Sequence, residues 1–425
     1  MYRALSGIAL VAFVADLATA IPLDTRHVGA QPYLVSLGPR PYYLVHNMTD
    51  GPLKEKLLSC ENKPVSISSF SIGHRGGGTL QIPEESVEST LAGARMGSGV
   101  LECDIAFTSD LALVCRHSLC DLHTTTDILL RPELAAKCTV PFTPANETAD
   151  ANALCCTSDI TEAEFMTLCS KMDGFNASAE TVEDYQYGAP TWRTSLYDTC
   201  GEVLSYSGWI DLVDSIPGYR NFTPELKTPP EEVPLPFNGY TQAQYARDAI
   251  QVFIDKGIDP SRVWMQSFTP ADIYLWLNEY PGFGAQAVFL DEDGDAEGNY
   301  TVAVARLPDL KASGVNIISP PINYLLEVGG PDNNTIVPSS YATTAMEAGL
   351  EIIAWSFERS GPLTLVRAND EYYYQTVAPV VSYDGQAYEV IDVLTRQIGI
   401  KGLFTDWSST VTYYANCFDL LGPGS

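Results

Sequence analysis

Histidine and basic side chains are scarce in this chain. It has five histidines in 425 residues, and 24 lysines and arginines against 53 aspartates and glutamates, a formal charge of −29. A surface this acidic repels nucleic acid and anionic membranes, so neither is expected as a partner. It also repels an anionic substrate at long range, so a phosphate site needs local positive charge, for which Arg75, Arg116, Lys227 and a bound cation are the candidates. Beyond the N-terminus no apolar run reaches the length that spans a bilayer, so no stable membrane insertion is expected. Internal repeats and low-complexity tails are absent too. The glycines Gly76-Gly77-Gly78 lack a following Lys-Ser/Thr, which excludes a P-loop. The run Asp291-Glu292-Asp293-Gly294-Asp295 lacks the closing glutamate of a calcium loop and reads as a solvated acidic turn.

What is present points to export. Arg3, the apolar stretch Leu5 to Leu17 and Ala18-Thr19-Ala20 have the pattern of a secretory signal over residues 1–20, too short and too interrupted by Asp16 for an anchor. Ten cysteines, all beyond that segment, fit an oxidising compartment, and their even number permits full pairing. Asn-x-Ser/Thr triplets at Asn47, Asn146, Asn176, Asn299 and Asn333 lie in polar, turn-rich sequence suited to N-glycans. A sixth, at Asn221, runs into a strand-like segment and is discounted. A secreted, extracellular protein is expected, with attachment to a cell wall left open.

Short β-rich runs recur between amphipathic stretches: Phe70 to His74, Val100 to Ile105, Asn221 to Lys227, Val263 to Ser267, Gln286 to Leu290, Val315 to Ser319, Glu351 to Ser356 and Gly402 to Asp406. Helical spacing marks Glu84 to Gly97, Thr241 to Lys256 and Tyr388 to Ile400. This alternation predicts an α/β fold, a (β/α)8 barrel over residues 66–425, preceded by a lead-in over 21–65. A cysteine-rich, turn-rich stretch from about 120 to 217 breaks the rhythm after the second strand and reads as a disulfide-stapled insertion over the barrel mouth.

Barrel enzymes gather their chemistry at the carboxyl ends of the strands. His74 ends the first run, Glu102 and Asp104 share one face of the second, Glu225 and Lys227 end the third, and Trp355 lies near the end of the seventh. Carboxylates on one face make a hard-oxygen clamp for a divalent cation. Inside a barrel they are costly without one. Glu225 and Lys227 alone would also satisfy a plain ion pair, and Trp355 is either core packing or a lid over substrate. His27, His46 and His123 lack such surroundings and are set aside.

These pieces, with Gly73-His74-Arg75-Gly76, Pro83-Glu84-Glu85-Ser86, His117, Thr124-Thr125-Thr126-Asp127, Gln266-Ser267-Phe268, Ala354-Trp355-Ser356 and Thr405-Asp406, resemble the glycerophosphodiester phosphodiesterase family in kind and in order. The resemblance implies a (β/α)8 barrel of the phospholipase C-like phosphodiesterase type. It also implies a divalent cation and hydrolysis of glycerophosphodiesters to glycerol 3-phosphate and an alcohol. By it His74 and His117 are catalytic, and Glu102, Asp104 and Glu225 hold the metal. Phosphodiester cleavage needs a base, an acid and positive charge, and imidazole suits both proton roles. Arg75 offers a planar fork to phosphate, Lys227 a point charge, and Trp355 an apolar wall. Which histidine is the base stays open. So does the choice between Ca²⁺ and Mg²⁺, with an extracellular setting favouring calcium. Two departures stand out: Ser118 follows the second histidine where the family usually has aspartate, and Glu85 replaces its usual asparagine. The alternatives are a phospholipase D of sphingomyelinase type, with Trp192 and Trp209 lining an apolar mouth, and a non-catalytic wall or matrix protein on the same barrel.

Overall fold

Alternation and β-branching place eight short strands in the computed structural model, which describes residues 34–424 other than Asp198. The expected signal segment and His27 lie outside the described residues. The strands are β1 (Ser68–Gly73), β2 (Ser98–Phe107), β3 (Asn221–Leu226), β4 (Gln266–Ser267), β5 (Val288–Leu290), β6 (Ile317–Ser319), β7 (Glu351–Phe357) and β8 (Gly402–Thr405). Each is parallel to its neighbour, and β8 pairs with β1 to close the ring. Every one of the eight expected runs contributes a strand, and the fold is a (β/α)8 barrel. His74 falls one residue beyond β1, so it opens the turn rather than ending the strand.

Among the described residues, the α-helices longer than four residues are α1 (Arg40–His46), α2 (Pro52–Leu58), α3 (Val87–Arg95), α4 (Tyr206–Ser215), α5 (Gln242–Asp255), α6 (Pro270–Glu279), α7 (Tyr300–Ala312), α8 (Ser340–Glu347), α9 (Ala387–Asp392) and α10 (Ser408–Cys417). The expected helix from Glu84 begins later, because Ser86 caps α3 by accepting from the Ser89 amide. Glu84 and Glu85 are thereby left in the loop ahead of it. Thr241 caps α5 in the same way. Inside the barrel, Ile72, Val100, Trp264, Val288, Ile317, Ile353 and Phe404 form the packed core, with Trp355 against it.

After β2 the chain turns back as a short antiparallel strand, Leu113–Cys115, tied to β2 by the Cys103–Cys115 disulfide. Outward-facing Cys103 alternates with inward Glu102 and Asp104, so this bridge sits behind the barrel wall. The six cysteines of the following stretch pair among themselves as Cys120–Cys156, Cys138–Cys155 and Cys169–Cys200. The stretch ends in α4, a barrel helix whose Tyr206, Trp209, Ile210 and Val213 are buried. Tyr206 and Trp209 stack on each other. Trp209 therefore cannot line an apolar mouth, which leaves Trp192 and the tyrosines of the stretch as the aromatic residues open to the phospholipase alternative.

The described part of the lead-in, from residue 34 on, lies against the last helix. Tyr413 donates to the Leu57 carbonyl at 2.6 Å, Tyr42 meets Tyr413 edge-on, and Cys60 bonds to Cys417 across 357 residues. Closing so long a loop restricts the unfolded chain strongly. Replacing both cysteines (Cys60→Ala with Cys417→Ala) is expected to cost about 2–5 kcal/mol, read as a lowered urea midpoint with a steeper slope, because the denatured chain expands once the loop is opened. An unchanged midpoint would show that the bridge staples nothing.

Candidate active site

The register of β2, β3 and β4 puts three polar side chains in one row: Asp104 opposite Glu225, and Glu225 opposite Gln266. Glu102 reaches the same row from one pleat below, where its Oε1 accepts from Gln266 Nε2 at 2.8 Å. Its Oε2 accepts from the Arg75 amide at 2.7 Å. That amide points inward because Arg75 takes the left-handed conformation, φ 49°, in the turn after β1. The turn is tight enough that a Cβ on Gly77 would lie 2.4 Å from Ser408 Oγ.

Glu102, Asp104 and Glu225 present oxygens within 4.8 Å of one another, and all three are buried. Lys227 Nζ lies 2.5 Å from Glu225 and 3.9 Å from Asp104, so the expected ion pair exists, but Lys227 and Arg75, which lies 3.5 Å from Asp104 and is shared with Glu84, serve three carboxylates. Neither oxygen of Asp104 accepts a hydrogen bond. Burial, with Asp104 and Glu225 alongside, pushes Glu102 well above the usual carboxylate range. Burial pushes Glu225 up to about 8 against the pull of Lys227. Asp104 goes the other way: against the cost of burial, Lys227 and Arg75 hold it low. An all-oxygen donor set short of positive charge fits Ca²⁺ or Mg²⁺. Glu85, the departure from asparagine, lies beside the cluster and accepts from the Asp104 amide at 3.2 Å. Burial and its neighbours Asp104 and Glu102 push it well above its usual range. Glu85, Cys103 and Cys115 also approach one another, but both sulfurs are spent in a disulfide.

A cavity of about 670 Å³ opens above this cluster, lined by His74, Arg75, His117, Lys227 and Trp355 together with Glu102 and Glu225. All the sequence-derived candidates except Arg116 and the more deeply set Asp104 reach its wall. Trp355 donates its indole N–H to the Ser319 carbonyl at 2.7 Å and meets Phe268 and Tyr373 edge-on. It is thus both anchored and exposed to the cavity, with Phe268 and Tyr373 completing an aromatic wall. Arg116 does not reach the cavity. It is fully buried and donates to the carbonyls of Cys115 and Glu85, because it faces the opposite side of the chain from His117.

The sequence matches the glycerophosphoryl diester phosphodiesterase family over residues 74–410. The chain belongs to that family. It is 45% identical over 251 residues to an "Extracellular protein" of Arthroderma benhamiae, covering 59% of this chain and all of that one. It is 21% identical over 395 residues to a glycerophosphodiester phosphodiesterase of Arabidopsis thaliana, covering 87% and 93%. The fold is similar to the crystal structure described as a putative glycerophosphoryl diester phosphodiesterase from Silicibacter pomeroyi, with TM-score 0.53, 17% identity, and 87% and 99% of the two chains covered.

Within this phosphodiesterase barrel, a second ionic cluster escaped the sequence analysis. His74 Nδ1 lies 2.6 Å from Asp406 Oδ1. Asp406 Oδ2 accepts from Arg193 and Arg359, each at 2.9 Å. Glu84 accepts from Arg75 at 2.8 Å and Arg359 at 3.2 Å. Burial works against ionising Asp406 and Glu84, yet the arginines hold both far below the usual range. Burial, with Arg75 and Arg359, lowers His74 to about 4 in spite of Asp406. His117 is lowered well below its usual value by burial and by Arg75 and Lys227. Asp406, Glu84 and Gln266 stood in the quoted motifs, so a signal existed for them. Arg193 and Arg359 are isolated loop arginines, and nothing in their local sequence marks them.

These shifts predict how the metal-free protein melts. Glu225 binds its proton more tightly folded than unfolded, so that contribution is present at low pH and lost as pH rises through about 8. The depressed histidines act oppositely, costing stability only below their unfolded value of about 6.5. The melting temperature of chelated protein is therefore expected to fall between about pH 6.5 and 8.5. Added Ca²⁺ or Mg²⁺ should raise it most at the alkaline end. A flat profile that ignores the cation would contradict the clamp.

Proposed function

We propose that this protein is a secreted, divalent-cation-dependent glycerophosphodiesterase that releases glycerol 3-phosphate and an alcohol. The observation that carries the reading is the convergence of a carboxylate triad, two imidazoles and two fixed cations on one cavity. Family membership supplies the bond to be cut. Glu102, Asp104 and Glu225 would hold the cation, which when bound supplies positive charge to the phosphoryl oxygens.

His74 acts as the base in this reading. Asp406 is held ionised by its arginines, so Nδ1 carries the ring proton and Nε2, on the Glu102 side, is left to accept one. It takes the proton of the attacking hydroxyl, whether water or the substrate's neighbouring glycerol hydroxyl. His117 then protonates the departing alkoxide. Burial, with Arg75 and Lys227, keeps His117 neutral in the free protein, and a bound phosphodiester would offset the charge of those two cations, which favours its protonation once substrate is in place. Arg75 and Lys227 face the phosphate, and Trp355 flanks the glycerol or alcohol.

Export is supported by five disulfides that use every cysteine, the pairing typical of oxidising compartments. Among the described residues no helix is long and apolar enough to cross a membrane. Asn47, Asn146, Asn299 and Asn333 are exposed and Asn176 is half-buried, which suits N-glycans there. Asn221 is buried and donates to Ser69 and the Pro423 carbonyl, which does not.

Chelated protein given glycerophosphocholine is expected to be inactive and to release glycerol 3-phosphate and choline once Ca²⁺ or Mg²⁺ is added, the products being resolved by mass. His74→Ala and His117→Ala should each lower kcat by roughly 10²–10⁴-fold while the protein still folds. Turnover unaffected by chelation, or by either substitution, removes the assignment. Release of headgroup from intact phospholipid alone would favour the phospholipase D alternative.

A further inference from the structure

Arg193 belongs to the disulfide-rich stretch, far from every barrel strand in sequence, yet its guanidinium is buried against the carboxyl end of the barrel. The side chain is 4% exposed. It donates to Asp406 Oδ2 at 2.9 Å, and its other terminal nitrogen lies 4.0 Å from Glu84. Arg359, from the loop after β7, donates to the same oxygen. With Oδ2 taken by two guanidinium groups, Oδ1 is the oxygen left for His74. The segment bearing Arg193 is fixed from two sides. The Cys169–Cys200 bridge encloses it. Trp192 packs under the Arg193 guanidinium and against Gly361, where a Cβ would come within 2.7 Å of its ring.

We propose that Arg193 is a positioning residue: by holding Asp406 ionised and in one orientation, it fixes the ring and tautomer of His74, so that the cysteine-rich stretch completes the barrel's proton-transfer machinery. A carboxylate clamped on one oxygen can rotate only at the expense of both arginine bonds. The imidazole that it holds is thereby kept with Nδ1–H toward Asp406 and Nε2 as the unprotonated nitrogen. An unclamped Asp406 would let the ring turn, and Ser356 Oγ, 3.2 Å from Nδ1 and 3.3 Å from Nε2, offers it an alternative partner. The catalytic consequence rests on the reading of His74 as the proton acceptor; the positioning itself does not.

The test combines ¹⁵N-histidine NMR with kinetics on Arg193→Met, Arg193→Gln and Arg193→Lys, using His74→Gln to assign the His74 signals. Wild-type protein should show His74 as a single Nδ1–H tautomer with a downfield proton. Arg193→Met and Arg193→Gln should lose that signal and lower kcat for glycerophosphocholine by on the order of ten- to a hundredfold at unchanged KM. Arg193→Lys should recover most of both. If the Met variant does not fold, the Gln variant gives the same readout. A wild-type tautomer signal in the neutral variants overturns the proposal. Should the wild-type protein cleave no glycerophosphodiester, the functional reading falls, while the NMR signal still decides whether Arg193 positions His74.

Discussion

The parallel pairing of β2 with β3 sets Asp104 beside Glu225, and the rest of the cavity is arranged around the charge this creates. A one-residue slip would send the inward carboxylates to the outer face of the sheet. The Cys103–Cys115 bridge pins the same strand from behind. Three buried carboxylates then face Lys227 and an Arg75 that is shared with Glu84, an arrangement whose remaining cost is met either by protons or by a cation. The raised Glu102 and Glu225 show the proton solution, and the oxygens of Asp104, without hydrogen-bond donors, show where a cation would bind.

Beside this cation-deficient cluster stands a second one with the opposite balance. Arg75, Arg193 and Arg359 share Glu84 and Asp406, so guanidinium groups outnumber carboxylates there. Two carboxylates in one barrel thus behave in opposite ways. Glu225 is pushed up by burial, whereas Asp406, equally buried, is held down by guanidinium groups. His74 lies between the two clusters and touches both, with Asp406 on one ring nitrogen and Glu102 3.9 Å from the other. The protein's overall acidity does not reach this site, because the local charge is set by groups within a few ångströms.

The barrel was legible because its strands are short apolar runs at regular spacing, and the triad because alternation puts Glu102 and Asp104 on one face. Trp209 was legible too, but was weighed as a mouth residue; Tyr206, Trp209, Ile210 and Val213 recur at helical spacing and mark a buried face of α4. Arg116 shows a similar lesson: beside His117 it suggests phosphate, yet neighbours along an extended chain face opposite sides, and it is buried behind the wall. Arg193 and Arg359 were not legible at all. Their roles come from long-range packing, and a lone arginine in a loop has no periodicity to betray it. The disulfide pairs were likewise set by distance in space and not by spacing along the chain.

In the proposed reading Glu102, Asp104 and Glu225 form a cation clamp that holds protons when the cation is absent. Calorimetric titration of chelated protein with Ca²⁺ and with Mg²⁺ near neutral pH, repeated in buffers of different ionisation enthalpy, tests it directly. The account predicts one cation bound per chain with proton release, both lost in Asp104→Asn. Absence of binding, or binding that survives in Asp104→Asn, would contradict it.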